Sequence, residues 1–207
     1  MTIKLNGSSS GFVALQAPAS AGSNTLTLPT SNGSADQVLT TNGSGGVLSW
    51  AAAGGGTIVQ VKNATKTDTF TTASTSYADV TGLSISITPT STSNFILIWA
   101  FVNGMTNGSA GYGQIVRDTT AIGIGDAASN RIRASWGMHN AGSGNRAGTF
   151  GNTWIEQAQS TSATTYKIQV RHENGSGDIF INRTSNTTDD ASCGRYSSSI
   201  AVMEFSV

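Results

Sequence analysis

Acid–base chemistry needs two carboxylates held at a working separation. The chain carries three glutamates, Glu156, Glu173 and Glu204, and eight aspartates. Glu204 sits in the alternating stretch Val202-Met203-Glu204-Phe205 and reads as an ordinary outward-facing residue. Asp189-Asp190 falls in a polar loop, where adjacent acids read as a solvated turn. A cysteine–histidine nucleophile would need Cys193 beside one of the two histidines, His139 or His172. Both histidines read as surface polar residues. The spacings HExxH and CxxC are absent, so no metal set is indicated. No glycine-rich stretch has phosphate-loop spacing ahead of a helix. The expectation is a chain with no catalytic residue, no metal and no cofactor.

Binding chemistry has two better candidates. The stretch 136–146 joins an aromatic ring, an imidazole, an amide and a guanidinium in a glycine-rich backbone: Trp136, His139, Asn140 and Arg146. Such a set can stack on a sugar face and bond its hydroxyls. The plainer reading is a core tryptophan followed by a loop. The second candidate is 186–195, with Asp189, Asp190 and Arg195. Five Asn-Gly-Ser triplets read as turn chemistry rather than glycan acceptors, since both Asn and Gly tolerate positive φ.

These loops need a scaffold, and the pattern of the chain says it is β. Leu83-Ser84-Ile85-Ser86-Ile87 alternates with period two. Phe95 to Val102 is an unbroken apolar run of eight residues. It suits a strand buried on both faces, or one meeting a subunit contact. A hairpin is expected around Asp118-Thr119. Further strands are expected at 58–61, 77–80, 131–138, 149–158, 164–172, 178–183 and 196–206. The last should be central and pair near 58–62. Strands spaced in this way, separated by Asn-Gly and Gly-Ser turns, indicate a β-sandwich of jelly-roll type over 58–207.

Residues 1–57 read differently. They hold one cation, Lys4, and one anion, Asp36. Four short strands are expected, at 12–15, 25–28, 37–40 and 47–50. Their apolar residues, Phe12, Leu15, Leu26, Leu28, Val38, Leu39, Leu48 and Trp50, are too few for a core of their own. Segments this short usually need disulfides, metals or oligomerisation. Only the last is available, because Cys193 is the sole cysteine and no ligand cluster is present. The segment reads as a β-stalk that winds with identical copies. Ala51 to Gly56 reads as a linker.

Composition narrows the class further. Ser, Thr, Gly and Asn number 28, 28, 25 and 15 of the 207 residues, while charged residues make up only 11%. Eleven cations balance eleven anions. A nucleic-acid binder needs a cationic excess to displace counterions, and none is present. A membrane-crossing helix needs about 20 apolar residues in succession, so membrane insertion is not expected. No basic, apolar signal segment is recognised at the start. Zero net charge leaves self-association unopposed.

Several of these stretches resemble a known family. Gly11-Phe12-Val13-Ala14-Leu15-Gln16-Ala17-Pro18-Ala19, Thr25-Leu26-Thr27-Leu28-Pro29, Asp36-Gln37-Val38-Leu39-Thr40-Thr41-Asn42-Gly43 and Leu48-Ser49-Trp50 resemble a segment of tailed-bacteriophage fibre and appendage proteins. Val80 to Pro89, Thr165 to Arg171, Ile181 to Arg183 and Ser199 to Glu204 resemble the terminal domains of phage fibre-like proteins. The resemblance implies a homotrimeric virion structural protein with an intertwined stalk and a distal jelly-roll head. It implies an origin in the host cytoplasm and a place on the particle surface. Residues 1–50 would meet another virion protein, and the head would meet a host cell-surface glycan. A capsid decoration or head-fibre protein without host contact is the alternative; a glycan-degrading tail spike is the remote one. The poor apolar content of the stalk has a direct consequence. An isolated 1–57 peptide at monomeric concentration is expected to give narrow, coil-like amide dispersion by NMR; dispersed shifts from a monomer would refute the intertwined stalk.

Overall fold

The computed structural model describes residues 2–6, 9–16, 19–20, 22–23, 25–41, 46–52, 56–139 and 144–206. Asn140, the turn at 42–43 and residues 53–55 of the expected linker lie outside this set, as do the side chains of Phe12 and Leu15. The chain divides into two compact units, Met1–Gly55 and Gly56–Val207. Both are built of strands, with no helix among the described residues.

The first unit contains two hairpins. Strand β1 (Thr2–Asn6) pairs antiparallel with β2 (Phe12–Gln16), and β3 (Gln37–Thr41) pairs with β4 (Leu48–Ala52). The expected strand at 25–28 is reduced to a single bridge between Thr27 and Val47. Ala51 and Ala52, expected as linker, continue β4 because Val38 and Gln37 stand opposite them in the ladder. No described side chain of this unit is buried. Leu26 and Leu28 are 69% and 70% exposed. The best-held group is Trp50, whose indole donates to the Ser31 carbonyl at 2.9 Å while Gly33 lies flat against the ring.

The described residues of the second unit form eleven strands: β5 (Ile58–Lys66), β6 (Phe70–Thr72), β7 (Ala78–Ile87), β8 (Phe95–Thr106), β9 (Gly111–Arg117), β10 (Thr120–Ile122), β11 (Trp136–Met138), β12 (Gly148–Gln157), β13 (Thr164–His172), β14 (Ile179–Ile181) and β15 (Ser198–Phe205). They form two antiparallel sheets. One runs β10-β9-β13-β7, with β11 also on β9; the other runs β5-β15-β8-β14-β6, with β12 along β8. The C-terminal strand lies between β5 and β8, as its alternation suggested. Tyr77–Val80 and Leu83–Ile87 are one strand rather than two. Gly82, at φ 86°, carries the chain through, and a register shift between Lys167 and Gln169 absorbs the irregularity. Residues 131–135, expected as strand, run outside the ladder, and only Trp136–Met138 pairs with β9.

Period two puts alternate residues on opposite faces, and both sheets turn their apolar set inward. Leu83, Ile87, Ile115, Ile168 and Val170 meet Ile96, Ile98, Val102, Ile200 and Val202, all fully buried. Each such side chain contributes about 1.5–3 kcal/mol through burial. Gly113 opposes Trp136 in the ladder, and a Cβ there would fall 2.2 Å from the indole. The bare backbone is what lets Trp136 lie in the core.

Two polar residues expected on the surface are buried. Glu204 is inaccessible to solvent. Its Oε1 accepts from the Thr90 amide and hydroxyl, both at 2.8 Å, and from Asn94 Nδ2 at 2.6 Å; its Oε2 accepts from Gln60 Nε2. The carboxylate ties β15 to β5 and to the turn before β8. His172 is also inaccessible. Its Nδ1 accepts from the Gly175 amide at 3.0 Å, which leaves the proton on Nε2, facing the Asn107 carbonyl. Alternation predicted neither, because a satisfied polar group can occupy an inward position.

The Glu204 carboxyl feels opposing influences. Burial raises its pKa, but the hydrogen bonds from Gln60, Asn94 and Thr90 outweigh this and hold it at about 2, below the ordinary 4.5. The charged form is therefore the one that folding favours. Its stabilisation is complete above about pH 4.5 and is lost as the pH falls toward 2. Glu204→Gln is expected to cost on the order of 2 kcal/mol at neutral pH and to flatten the acid limb of stability; urea unfolding of both proteins across that range measures it.

Candidate functional site

Two surfaces of the second unit carry chemistry that its core does not use. The first is a loop cavity. Strand β14 is followed by Asn182, a buried residue at φ 62°. Asparagine tolerates this left-handed conformation, and here its side chain is fixed on both sides. Its Nδ2 donates to the carbonyls of Lys66 and Asp68 at 2.8 and 3.0 Å, and its Oδ1 accepts from the Ser198 hydroxyl at 2.6 Å. The turn sends Arg183 out of the sheet and into an isolated antiparallel bridge with Arg195. Residues 184–194 form the loop between them.

That loop is held by its own polar side chains. Asn186 Oδ1 accepts from the Thr188 amide and hydroxyl at 3.0 and 2.7 Å. Asp190 Oδ1 accepts from the Ser192 amide at 2.7 Å, and its hydrogen bonds to Ser192 hold its carboxyl below the usual carboxylate range. The loop and the two arginines enclose a cavity of about 300 Å³, with Asp189, Asp190 and Thr188 on its wall. This lies at the small end of the range for small-molecule sites.

The structure brings the two sequence candidates together. Asn145, in the first loop, donates to the Ser192 hydroxyl at 2.9 Å and accepts from Asn186 Nδ2 at 2.9 Å. The Gly144 carbonyl accepts from the Asn186 amide at 3.0 Å. Arg146 follows and is exposed. Of the second candidate set, Asp189, Asp190 and Arg195 all line the one cavity. The first set is divided. His139 is exposed, its ring edge-on to Phe150 at 5.6 Å. Trp136 is 8% exposed and sits within the core, so its ring is not presented to a ligand. Asn140 lies outside the described residues.

Sequence reasoning missed Arg183, while Asn145 and Asn186 fall within the two candidate stretches without being singled out. Arg183 ends an apolar strand and looks like a routine exposed cation. Nothing local marks it as the cross-strand neighbour of Arg195, because that pairing is tertiary.

The second surface is the outer face of the β5-β15-β8-β12 sheet. Val61, Met203, Leu97 and Ile155 stand in one cross-strand row, and Ala201, Trp99 and Thr153 stand in the next. Residues opposite one another in a ladder share a face. Trp99, Phe101, Val61 and Ile155 remain 57%, 46%, 55% and 50% exposed. Trp99 and Phe101 border a groove floored by Gly151, with Thr149 and Thr153 on its side.

Among the described residues no three His, Cys, Asp or Glu side chains come together as a metal set. Glu156 pairs with Arg117 at 2.6 Å and accepts from the Tyr166 hydroxyl at 2.8 Å, which locks it in place between sheets.

Asn145, beside the Gly144 carbonyl, links the two loops. Asn145→Ala is expected to speed amide exchange in 185–193 about tenfold, the loss of roughly one net hydrogen bond, with the thermal midpoint little changed; exchange mapped by NMR or mass spectrometry checks this. No protein-family model and no curated protein sequence matches the chain, so a functional reading must rest on these two surfaces and on the sequence resemblance.

Proposed function

We propose that this protein is a non-enzymatic, homotrimeric virion appendage of tailed-phage type. Residues 1–57 form an intertwined stalk anchored through 1–50 to another virion protein. Residues 58–207 form a jelly-roll-like head whose loops contact a host cell-surface glycan. The observation that carries this reading is the amount of large apolar side chain that a single copy leaves uncovered. In the first unit Leu26, Leu28, Val38, Leu39 and Val47 are all more than 40% exposed. In the second, the face bearing Trp99, Phe101 and Ile155 is equally bare.

Covering such residues is favourable by about 25 cal/mol per Å² of apolar surface. Contiguous apolar patches on a surface mark sites of association. Zero net charge means that copies meet without electrostatic cost. Three copies is the number that the resemblance to fibre proteins implies. In that arrangement the loop cavities are presented three at a time, and avidity compensates for weak single-site binding. The role is adhesive, which agrees with carboxylates committed to structural bonds.

Native mass spectrometry is expected to give a species of three times the 21.2 kDa chain. The double variant Trp99→Ser/Phe101→Ser is expected to weaken the assembly at least tenfold, roughly the effect of exposing one or two buried aromatics, while keeping its far-ultraviolet spectrum. A wild-type chain that stays monomeric at micromolar concentration would refute the reading.

A further inference from the structure

We propose that the cavity between Arg183 and Arg195 is a binding site for a carboxylated sugar, a uronate-type unit of an acidic glycan. The inference rests on the head being a glycan-contacting module and names the ligand class of that contact. Three observations carry it.

First, the two arginines are direct cross-strand neighbours through the Arg183–Arg195 bridge, and both line the same cavity. Like charges placed opposite one another are destabilising unless an anion lies between them. Second, no carboxylate among the described residues fills that role. The ion pairs among the described residues are Lys66–Asp68, Arg117–Glu156 and Lys167–Asp79, so neither arginine has an anionic partner within 4.0 Å. Asp189 and Asp190 share the cavity wall, yet Asp190 is turned to the Ser192 amide. Third, Arg183 is held in place without such a partner. Its guanidinium carbon lies 4.6 Å from the centre of the buried Phe180 ring, and its Nε is shut from solvent with no acceptor. A cation–π contact fixes the orientation of a guanidinium, but it does not satisfy the N–H donors. The result is one guanidinium held in place, that of Arg183, facing a second, exposed arginine across the bridge, with donors open to an oxyanion.

The rest of the wall selects among oxyanions. Two arginines and two aspartates give the lining no net charge. A phosphate group of higher charge would meet repulsion from Asp189 and Asp190. A carboxylate carries a single charge and matches the planar fork of arginine with two parallel hydrogen bonds. The hydroxyls of the attached sugar then supply donors to the aspartates and meet the side chains of Thr188 and Asn186. The cavity volume of about 300 Å³ suits a small ligand rather than a long groove-bound chain.

The test uses the full chain in whatever oligomeric state native mass spectrometry assigns, so the two proposals fail separately. Three probes are titrated by calorimetry and by amide-shift mapping: tri-galacturonate, its methyl ester and glycerol phosphate. Tri-galacturonate is expected to bind with shifts confined to 183–195 and 144–146, and binding should weaken with added salt. Arg195→Gln and Arg183→Gln should each reduce affinity about tenfold, the loss of one charge-assisted hydrogen bond, with the thermal midpoint as the folding control. Asp126→Asn, far along the chain from this loop, should leave it unchanged. Equal binding of the methyl ester, no binding of the acid, or full binding by a folded double arginine variant would overturn the assignment. Tighter binding of glycerol phosphate would overturn the choice of carboxylate. If the acid fails while particles still adsorb to cells, the glycan-contact reading survives without this ligand.

Discussion

An unbroken apolar strand cannot be hidden by one core. A pleated strand sends alternate side chains to opposite faces, so the eight apolar residues from Phe95 to Val102 must occupy two surfaces. The inner four, Ile96, Ile98, Ala100 and Val102, meet the other sheet and are fully buried. Of the outer four, Trp99 and Phe101 stay exposed in a single copy, while Phe95 and Leu97 are half-buried. Much of the second unit is arranged around this strand. It pairs with β12, β14 and β15, and through them it places the ends of β14 and β15 where the loop cavity forms. The same strand thus ties the core, the proposed assembly face and the proposed ligand site to one piece of backbone.

Polar groups complete what apolar burial begins. Glu204, His172 and Asn182 each sit at a position closed to water; Glu204 and Asn182 are satisfied by several partners from distant parts of the chain, and His172 by the nearby Gly175 amide and the distant Asn107 carbonyl. A hydrophobic contact tolerates sliding, whereas a buried network with fixed donors and acceptors does not. Glu204 fixes the register between β5 and β15. Asn182, with its amide on Lys66 and Asp68 and its oxygen on Ser198, fixes the direction in which the chain leaves β14. The geometry of Arg183 follows from that turn rather than from any property of Arg183 itself.

The fold was legible where the pattern was long and regular. The hairpin around Asp118, the central C-terminal strand and the alternating strand β13 follow from period two and turn chemistry. It was less legible where a glycine or a polar residue played an unusual role. The stretches 77–80 and 83–87 read as separate strands, whereas Gly82, at φ 86°, carries the chain through as one. Trp136 carried two readings, a stacking candidate and a core residue, and the core one holds because the bare backbone of Gly113 admits its indole. Glu204 and His172 were read as outward, because alternation records side-chain position and not whether partners await there.

The sequence alone determined that the chain is built of strands and carries almost no net charge. It also determined that the apolar content of residues 1–57 is too low for a core of their own. These are properties of composition and local period, and they need no knowledge of distant neighbours. Tertiary structure decided which residues meet. It joined Asn145 to the 186–192 loop and set Arg183 across from Arg195. It left Trp99 and Phe101 bare, and it closed water off from Glu204. The physical reason is separation along the chain. In a sheet protein the pairing that brings side chains together runs between strands tens of residues apart, and no local propensity encodes it.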